Sequence, residues 1–469
     1  MRFSVQVALV VVAVGLAWGT PAQPQKVSVL YKFGTNSGDP LNPGTPGVVA
    51  QGRDGSLYST TIYGGDSGAC PPSCGAVFKV TPEGKLTVLY NFDSIHGEYS
   101  FSGLTLGTDG NFYGSAVEGG TSNQGTIVKM RAGGRLTVLY DFMGASDGSA
   151  PYAPPVQATD GNFYGTASGQ GSNFGTVYKI TSSGKHTTLH QFNDTDGTFP
   201  QGPLVQGTDG FFYGTTRNGG NLKHAGVVFK ISPEGKLTVL YTFDDTHGMD
   251  PCAGLIQGRD GNFYGTTAWG GSNVKGVVYK ISRAGVFAVL HEFSKVDGAN
   301  PYGGLLQATD GNFYGTTSAG GSMGYGTIYR ISPQGNFSVI YNFDGTSGAS
   351  ASVTLLQHTN GILYGDAFGG GILSECRGFG CGTFFSLDLG LKPFVSLVST
   401  SGKVGKTIGI LGQGFKGTTG VSFNGTPATF KVISGTYLTA KVPSGATTGF
   451  VTVTTPGGKL KSNKKFRVR

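Results

Sequence analysis

The chain has 469 residues, of which 83 are glycine and only 13% are charged. That length allows two or more domains, and the composition excludes a helical enzyme in favour of many short strands joined by tight turns. The net charge of +8 is uneven: residues 392–469 hold 12 Lys and Arg and no Asp or Glu, whereas residues 23–391 hold 21 Lys and Arg against 26 Asp and Glu.

Residues 1–22 read as a signal peptide. Arg2 supplies the positive start, residues 5–18 are apolar apart from Gln6 and Gly15, and Thr20-Pro21-Ala22 resembles a small-residue cleavage site. The apolar run is shorter than the ~20 residues a spanning helix needs. An exported, soluble, monomeric chain without a membrane span is therefore expected after cleavage. The cysteines fit export: Cys70 with Cys74 and Cys376 with Cys381 are close pairs, each expected to close a small loop, with Cys252 left over. Cross-pairing between the two loops stays open at this level.

From there a heptapeptide organises the chain. DGNFYGT stands at Asp160–Thr166, Asp260–Thr266 and Asp310–Thr316, with near-copies starting at Asp54, Asp109, Asp209 and Asn360. The spacings are 55, 51, 49, 51, 50 and 50 residues, a period that belongs to propellers and other repeat arrays. In the repeat over 304–343, strands are expected at 304–309, 312–317, 326–332 and 336–343. Asp310-Gly311 should form the two-residue hairpin turn with φ > 0 at both positions.

The fourth-strand pattern, LTVLYNF and its variants, follows the motif six times, and its seventh copy, VSVLYKF, lies at residues 27–33. The N-terminal strand is thus expected to complete the last sheet and close a ring, which hides strand edges. The expected fold is all-β, with a seven-bladed β-propeller over residues 23–391.

The pattern GTDGNFYGTT…GG…GTVYKI…GKLTVLYNF resembles the Gloeobacter/Verrucomicrobium-type tandem repeat of exported bacterial proteins, over about residues 26–390. The resemblance implies export, to the periplasm, the cell surface or the medium, and a repeat scaffold. Residues 392–469 resemble an IPT/TIG immunoglobulin-like domain through Gly405, Gly412, Gly414, Phe415, Phe423-Asn424-Gly425, Val442-Pro443, Phe466 and Val468, which implies a small β-sandwich used as a spacer or adhesion module. Its charge suits a polyanionic partner, or simply a solubilising face.

The variable loops between second and third strands, and between sheets, share one face of such a scaffold. On them Trp269, Tyr325, His224, Lys223 and Asp196 are the candidate ligand contacts, aromatics beside polar groups suiting a sugar. Gln51, Gln157, Gln206, Gln257, Gln307 and Gln357 recur three residues before the turn acid, with Leu106 as the exception. They either line a central channel or satisfy backbone groups between sheets. Residues 193–197 only faintly resemble a calcium loop and lack its closing Glu, so no metal or other cofactor is expected. There is no GxSxG, HExxH or P-loop, and the seven histidines are scattered. The expected function is non-catalytic binding of a polysaccharide or surface protein. The alternatives are a secreted propeller hydrolase or lyase acting on polysaccharide, and a purely structural envelope component.

Overall fold

The computed structural model describes residues 26–469 apart from 45–46, 66–72, 145, 172 and 221–222. The proposed signal peptide and Cys70 lie outside the described residues. The described chain is all-β, its only helical element being the 3-10 turn Cys376–Gly378. Antiparallel sheets follow one another in a propeller-like arrangement, four-stranded except for the one holding Leu57–Gly64, which Pro40–Pro43 extends to five strands, and a separate β domain ends the chain.

One repeat explains the others. Leu306–Gln307, Phe313–Thr316, Thr327–Ile331 and Phe337–Asn342 pair in chain order into one sheet. The turn between the first two strands differs from expectation. Ala308 N–H donates to Asn312 O, Gly311 N–H donates to Ala308 O, and Gly311 takes φ +91° while Asp310 stays out of the left-handed region. This is a three-residue loop with one left-handed glycine, not the two-residue turn.

The acid is needed for its side chain. Asp310 accepts from Asn312 N–H (3.1 Å), Asn312 Nδ2 (2.8 Å) and the Tyr314 hydroxyl (2.8 Å). The same Asp–Tyr bond recurs in five other copies, and in the seventh Asn360 Nδ2 donates to Tyr364 Oη. The locked tyrosine then lies against the motif phenylalanine of the next sheet, as with Tyr164 on Phe212 (4.0 Å between centroids) and Tyr213 on Phe263 (3.8 Å). DGNFYGT is therefore both a turn lock and the packing joint between neighbouring sheets.

A second joint sits at the rim. Each fourth strand carries a bulge, for example at Leu240, which the register skips between Val239 and Tyr241. The freed Leu240 carbonyl meets Gly285 of the next repeat, where a Cβ would stand 2.7 Å away. Only glycine fits there, at φ +87°.

Lys26–Lys32 pairs with Thr383–Asp388 in the sheet that also holds Leu356–Gln357 and Leu363–Ala367. The N-terminal strand thus joins the last repeat, as the displaced VSVLYKF copy requires. Cys376 and Cys381 are joined by a disulfide, Cys74 is disulfide-bonded, and Cys252 is free and buried.

Residues 393–469 form a four-stranded and a five-stranded sheet around a core that includes Val395, Ile410, Phe415, Leu438, Val453 and Phe466. This domain rests on the turn end of the repeats. Thr436 Oγ1 donates to Arg53 O (2.8 Å), the Arg53 guanidinium stands 4.5 Å above the Tyr437 ring, and Gln413 Nε2 donates to Thr359 Oγ1 (2.9 Å).

Candidate functional site

Each repeat enters its first strand through an unusual bend. Asn42, Tyr99, Ala150, Phe199, Asp250, Asn300 and Ser350 all take φ between 50° and 60°. A left-handed non-glycine residue costs about 1–2 kcal/mol, so its surroundings must hold it. They do: Asp250 N–H donates to Ala225 O (3.1 Å), and Asp250 O accepts from Ala268 N–H (3.0 Å). The next residue in that repeat, Pro251, sets its ring against Gly226 of the preceding sheet.

The bend turns the chain from the rim towards the axis and aims the residue two places later into the centre. In order these residues are Gly44, Phe101, Tyr152, Gln201, Cys252, Tyr302 and Ser352. The last six, from six different sheets, line one cavity of about 420 Å³ at the loop end of the molecule. A frame that is constant in every repeat therefore presents a side chain that differs in most of them.

Around this ring stand Arg217, Ser318, Ser350 and Phe368. Arg217 Nε lies 3.0 Å from Asp250 Oδ1, with the Asp250 side chain 7% exposed and that of Arg217 43% exposed. Burial holds the Asp250 carboxyl above its ordinary range, and Arg217 offsets part of that rise. Burial, with Asp250 beside it, pushes the Cys252 thiol far up. Cys252 is thus an inert wall group rather than a thiolate nucleophile. Among the described residues lining the cavity there is no histidine and no carboxylate. Aromatic faces, an amide, hydroxyls and one guanidinium remain, a set that stacks on and hydrogen-bonds to a polar ligand.

Of the residues expected as contacts, Trp269 exchanges backbone hydrogen bonds with Met249 next to the Asp250 bend and is not among the residues lining the cavity. Tyr325 lies over Gly345, 41% exposed, on an outer loop. His224 pairs with Asp194 at 3.2 Å and Lys223 with Asp245 at 3.7 Å, both on the loop surface. Asp196 is engaged in its own turn, accepting from Asn193 N–H (2.8 Å) and facing His190 Nε2 (2.9 Å). Among the described residues no group of three His, Cys, Asp or Glu could hold a metal ion.

The glutamines sit at the opposite, turn end. Gln257 Oε1 accepts from Thr208 N–H of the preceding repeat (3.0 Å), while its Nε2 donates to Gly261 O of its own turn (3.0 Å). Gln157, Gln206, Gln307 and Gln357 repeat this bridge. Gln51 reaches Thr359, joining the first repeat to the last. Leu106 cannot bridge, and there Arg53 Nη2 donates to Thr108 O instead (2.8 Å). These amides are occupied between sheets.

Sequence reasoning passed over the mouth ring because it weighed whole loops. The neighbours of each ring residue vary as well, from Tyr99-Ser100-Phe101 to Phe199-Pro200-Gln201 and Asn300-Pro301-Tyr302, so only the place two residues after the bend is constant. Elsewhere on the surface Ile95, Met143, Phe174, Val296, Met323 and Phe379 are exposed, none of them lining the cavity.

The repeat region and the ending domain are both matched by family models. The Gloeobacter/Verrucomicrobia repeat matches residues 45–258 and 251–420, and the IPT/TIG domain matches residues 393–468. The chain belongs to the Gloeobacter/Verrucomicrobia repeat family, with an IPT/TIG domain at its C-terminal end. No curated protein matches it.

Among solved structures, the PQQ-bound aldose sugar dehydrogenase of Streptomyces coelicolor is similar at 13% identity and TM-score 0.41, covering 64% of this chain and 95% of its own. A gluconolactonase of Xanthomonas campestris is similar at 11% identity and TM-score 0.40, covering 78% and 98%. No helix among the described residues is long and apolar enough to cross a membrane.

Proposed function

We propose that the protein is an exported, non-catalytic binding protein that takes a carbohydrate in the loop-end cavity. Its scaffold is a closed, seven-bladed β-propeller carrying a basic immunoglobulin-like module on the other end. The closed reading is supported by the N-terminal strand in the last sheet and by the Gln51–Thr359 bridge.

One observation carries the functional reading: a constant repeat position delivers Phe101, Tyr152, Gln201, Cys252, Tyr302 and Ser352 into one cavity, with Arg217 beside them. Aromatic faces next to amide and hydroxyl groups suit sugar rings, and glycoside hydrolysis ordinarily needs a pair of carboxyl groups flanking the bond.

The test is a glycan array probed with residues 23–469 at low and high salt, with the bound glycans then checked for cleavage. Salt-resistant retention of an intact glycan is expected. Cleavage products would replace this reading with the hydrolase or lyase alternative.

A further inference from the structure

A further cavity lies between the repeats and the ending domain. It measures about 300 Å³, and its walls come from three repeats (Thr108, Gln157, Thr208) and from residues 398–401 and the last strand of the ending domain. That strand, Gly458–Val468, and the residue after it place Lys464, Lys465, Arg467 and Arg469 along the lining, which contains no Asp or Glu.

Three features make this more than a basic surface. Among the described residues, no ion pair involves any of the 12 Lys and Arg of residues 392–469. Their charge is not cancelled internally. Arg467 is held in place, Nη1 donating to Thr208 O at 2.6 Å, so its position depends on the domain junction. Ser401 lines the same cavity, 4% exposed, and its Oγ has no hydrogen-bond partner. A buried hydroxyl without a partner costs about 1–3 kcal/mol, which a ligand atom there would relieve.

The Gln157 and Gln206 amides on the facing wall are already committed between repeats. The free donors are therefore the cations and the serine.

We propose that this junction cavity is an anion site for a compact oxyanion, a carboxylate or phosphate on a group about the size of one sugar, bound by Lys464, Arg467 and Ser401. A cavity of this size excludes a nucleic-acid duplex, and it is separate from the loop-end cavity. The source of the oxyanion is either a free small molecule or the acidic end residue of a polysaccharide.

Calorimetry on residues 23–469 with inorganic phosphate, galacturonate and polygalacturonate tests it. Lys464→Gln and Ser401→Val should each weaken binding of the free anions at least about tenfold, since a charged hydrogen-bonded pair is lost or a donor removed. Lys431→Gln removes the same charge on another strand of the domain and should change it less than about twofold. Competition between polygalacturonate and galacturonate would assign the site to a polymer end, and binding of the free anions alone would assign it to a small molecule.

The proposal is overturned if no free anion binds. It is overturned equally if Lys431→Gln weakens binding as much as Lys464→Gln, which would be diffuse attraction. Should Ser401→Val unfold, judged by its melting, Lys464→Gln against Lys431→Gln still decides. Tyr302→Ala at the loop-end cavity should leave this binding intact, so failure of one site is distinguishable from failure of the other.

Discussion

Asp260 and Tyr264 show how much one repeated residue pair does. The carboxylate accepts from Asn262 N–H, Asn262 Nδ2 and the Tyr264 hydroxyl at 2.8 Å, which fixes both the turn and the ring that packs on the next sheet. Tyr264→Phe should cost about 1.5–3 kcal/mol, the value of a hydrogen bond to a charged group; a urea titration showing under about 0.5 kcal/mol would refute the lock. For Asp109, burial raises the pKa, but Asn111, Lys129 and Tyr113 outweigh it and bring the pKa down to about 2. Such a carboxylate adds stability above pH ~4 that is lost as pH falls towards 2.

Asp366 has the opposite sign. It replaces the threonine that most repeats carry at this position, is 2% exposed, and leaves Oδ2 without a partner. Burial pushes its pKa up to about 8, with Ser59 across the seam offsetting little of the rise. The folded protein then holds a proton that the unfolded chain sheds near pH 4, so stability falls as pH rises from ~4 to ~8. Asp366→Thr should flatten that slope and raise stability at pH 8. Unfolding curves at pH 5 and 8 with the same difference in variant and parent would contradict this.

At the scale of strands and turns, most of the repeat was legible because it rests on local chemistry. Alternating Val, Thr, Phe and Tyr, broken by Asp-Gly and Pro-x-Gly, placed the four strands within a few residues. The first strand came out shorter, two ladder residues at Leu306–Gln307, because residues 300–305 are spent on the left-handed bend and the descent to the axis.

That bend was not legible. Tyr99 or Phe199 in the left-handed region contradicts residue preference, and Phe199 is held there by Phe174 O of the preceding repeat and Arg217 N–H of its own. The cavity ring, which depends on the bend, was hidden for the same reason. The bulge joint offers a clean test. Gly285→Ala would place a Cβ 2.7 Å from Leu240 O and should destabilise by about 1–3 kcal/mol. Gly133→Ala, with nothing within 4 Å, should stay within about 0.5 kcal/mol. Equal effects in the two melting curves would refute the joint.

For the whole molecule, the displaced seventh copy, VSVLYKF, made the pairing of the N-terminal strand with the last repeat readable, because that repeat has no fourth-strand copy of its own. The docking of the ending domain was not readable, since Thr436, Tyr437 and Gln413 carry no pattern that names Arg53 or Thr359 as partners. Removing residues 26–33 should bare the Thr383–Asp388 strand as an edge and drive self-association. Light scattering of a truncated chain that stays monomeric and melts like the parent would contradict closure by that strand.

The central claim is that the loop-end cavity holds the ligand. It is tested most directly by titrating the glycan selected on the array into the parent, Tyr152→Ala and Tyr302→Ala proteins by calorimetry. Loss of a stacking ring should weaken binding about tenfold or more in each variant, in line with about 1–3 kcal/mol per aromatic contact. Unchanged affinity in both variants, with their folds intact, would place recognition elsewhere and contradict the account.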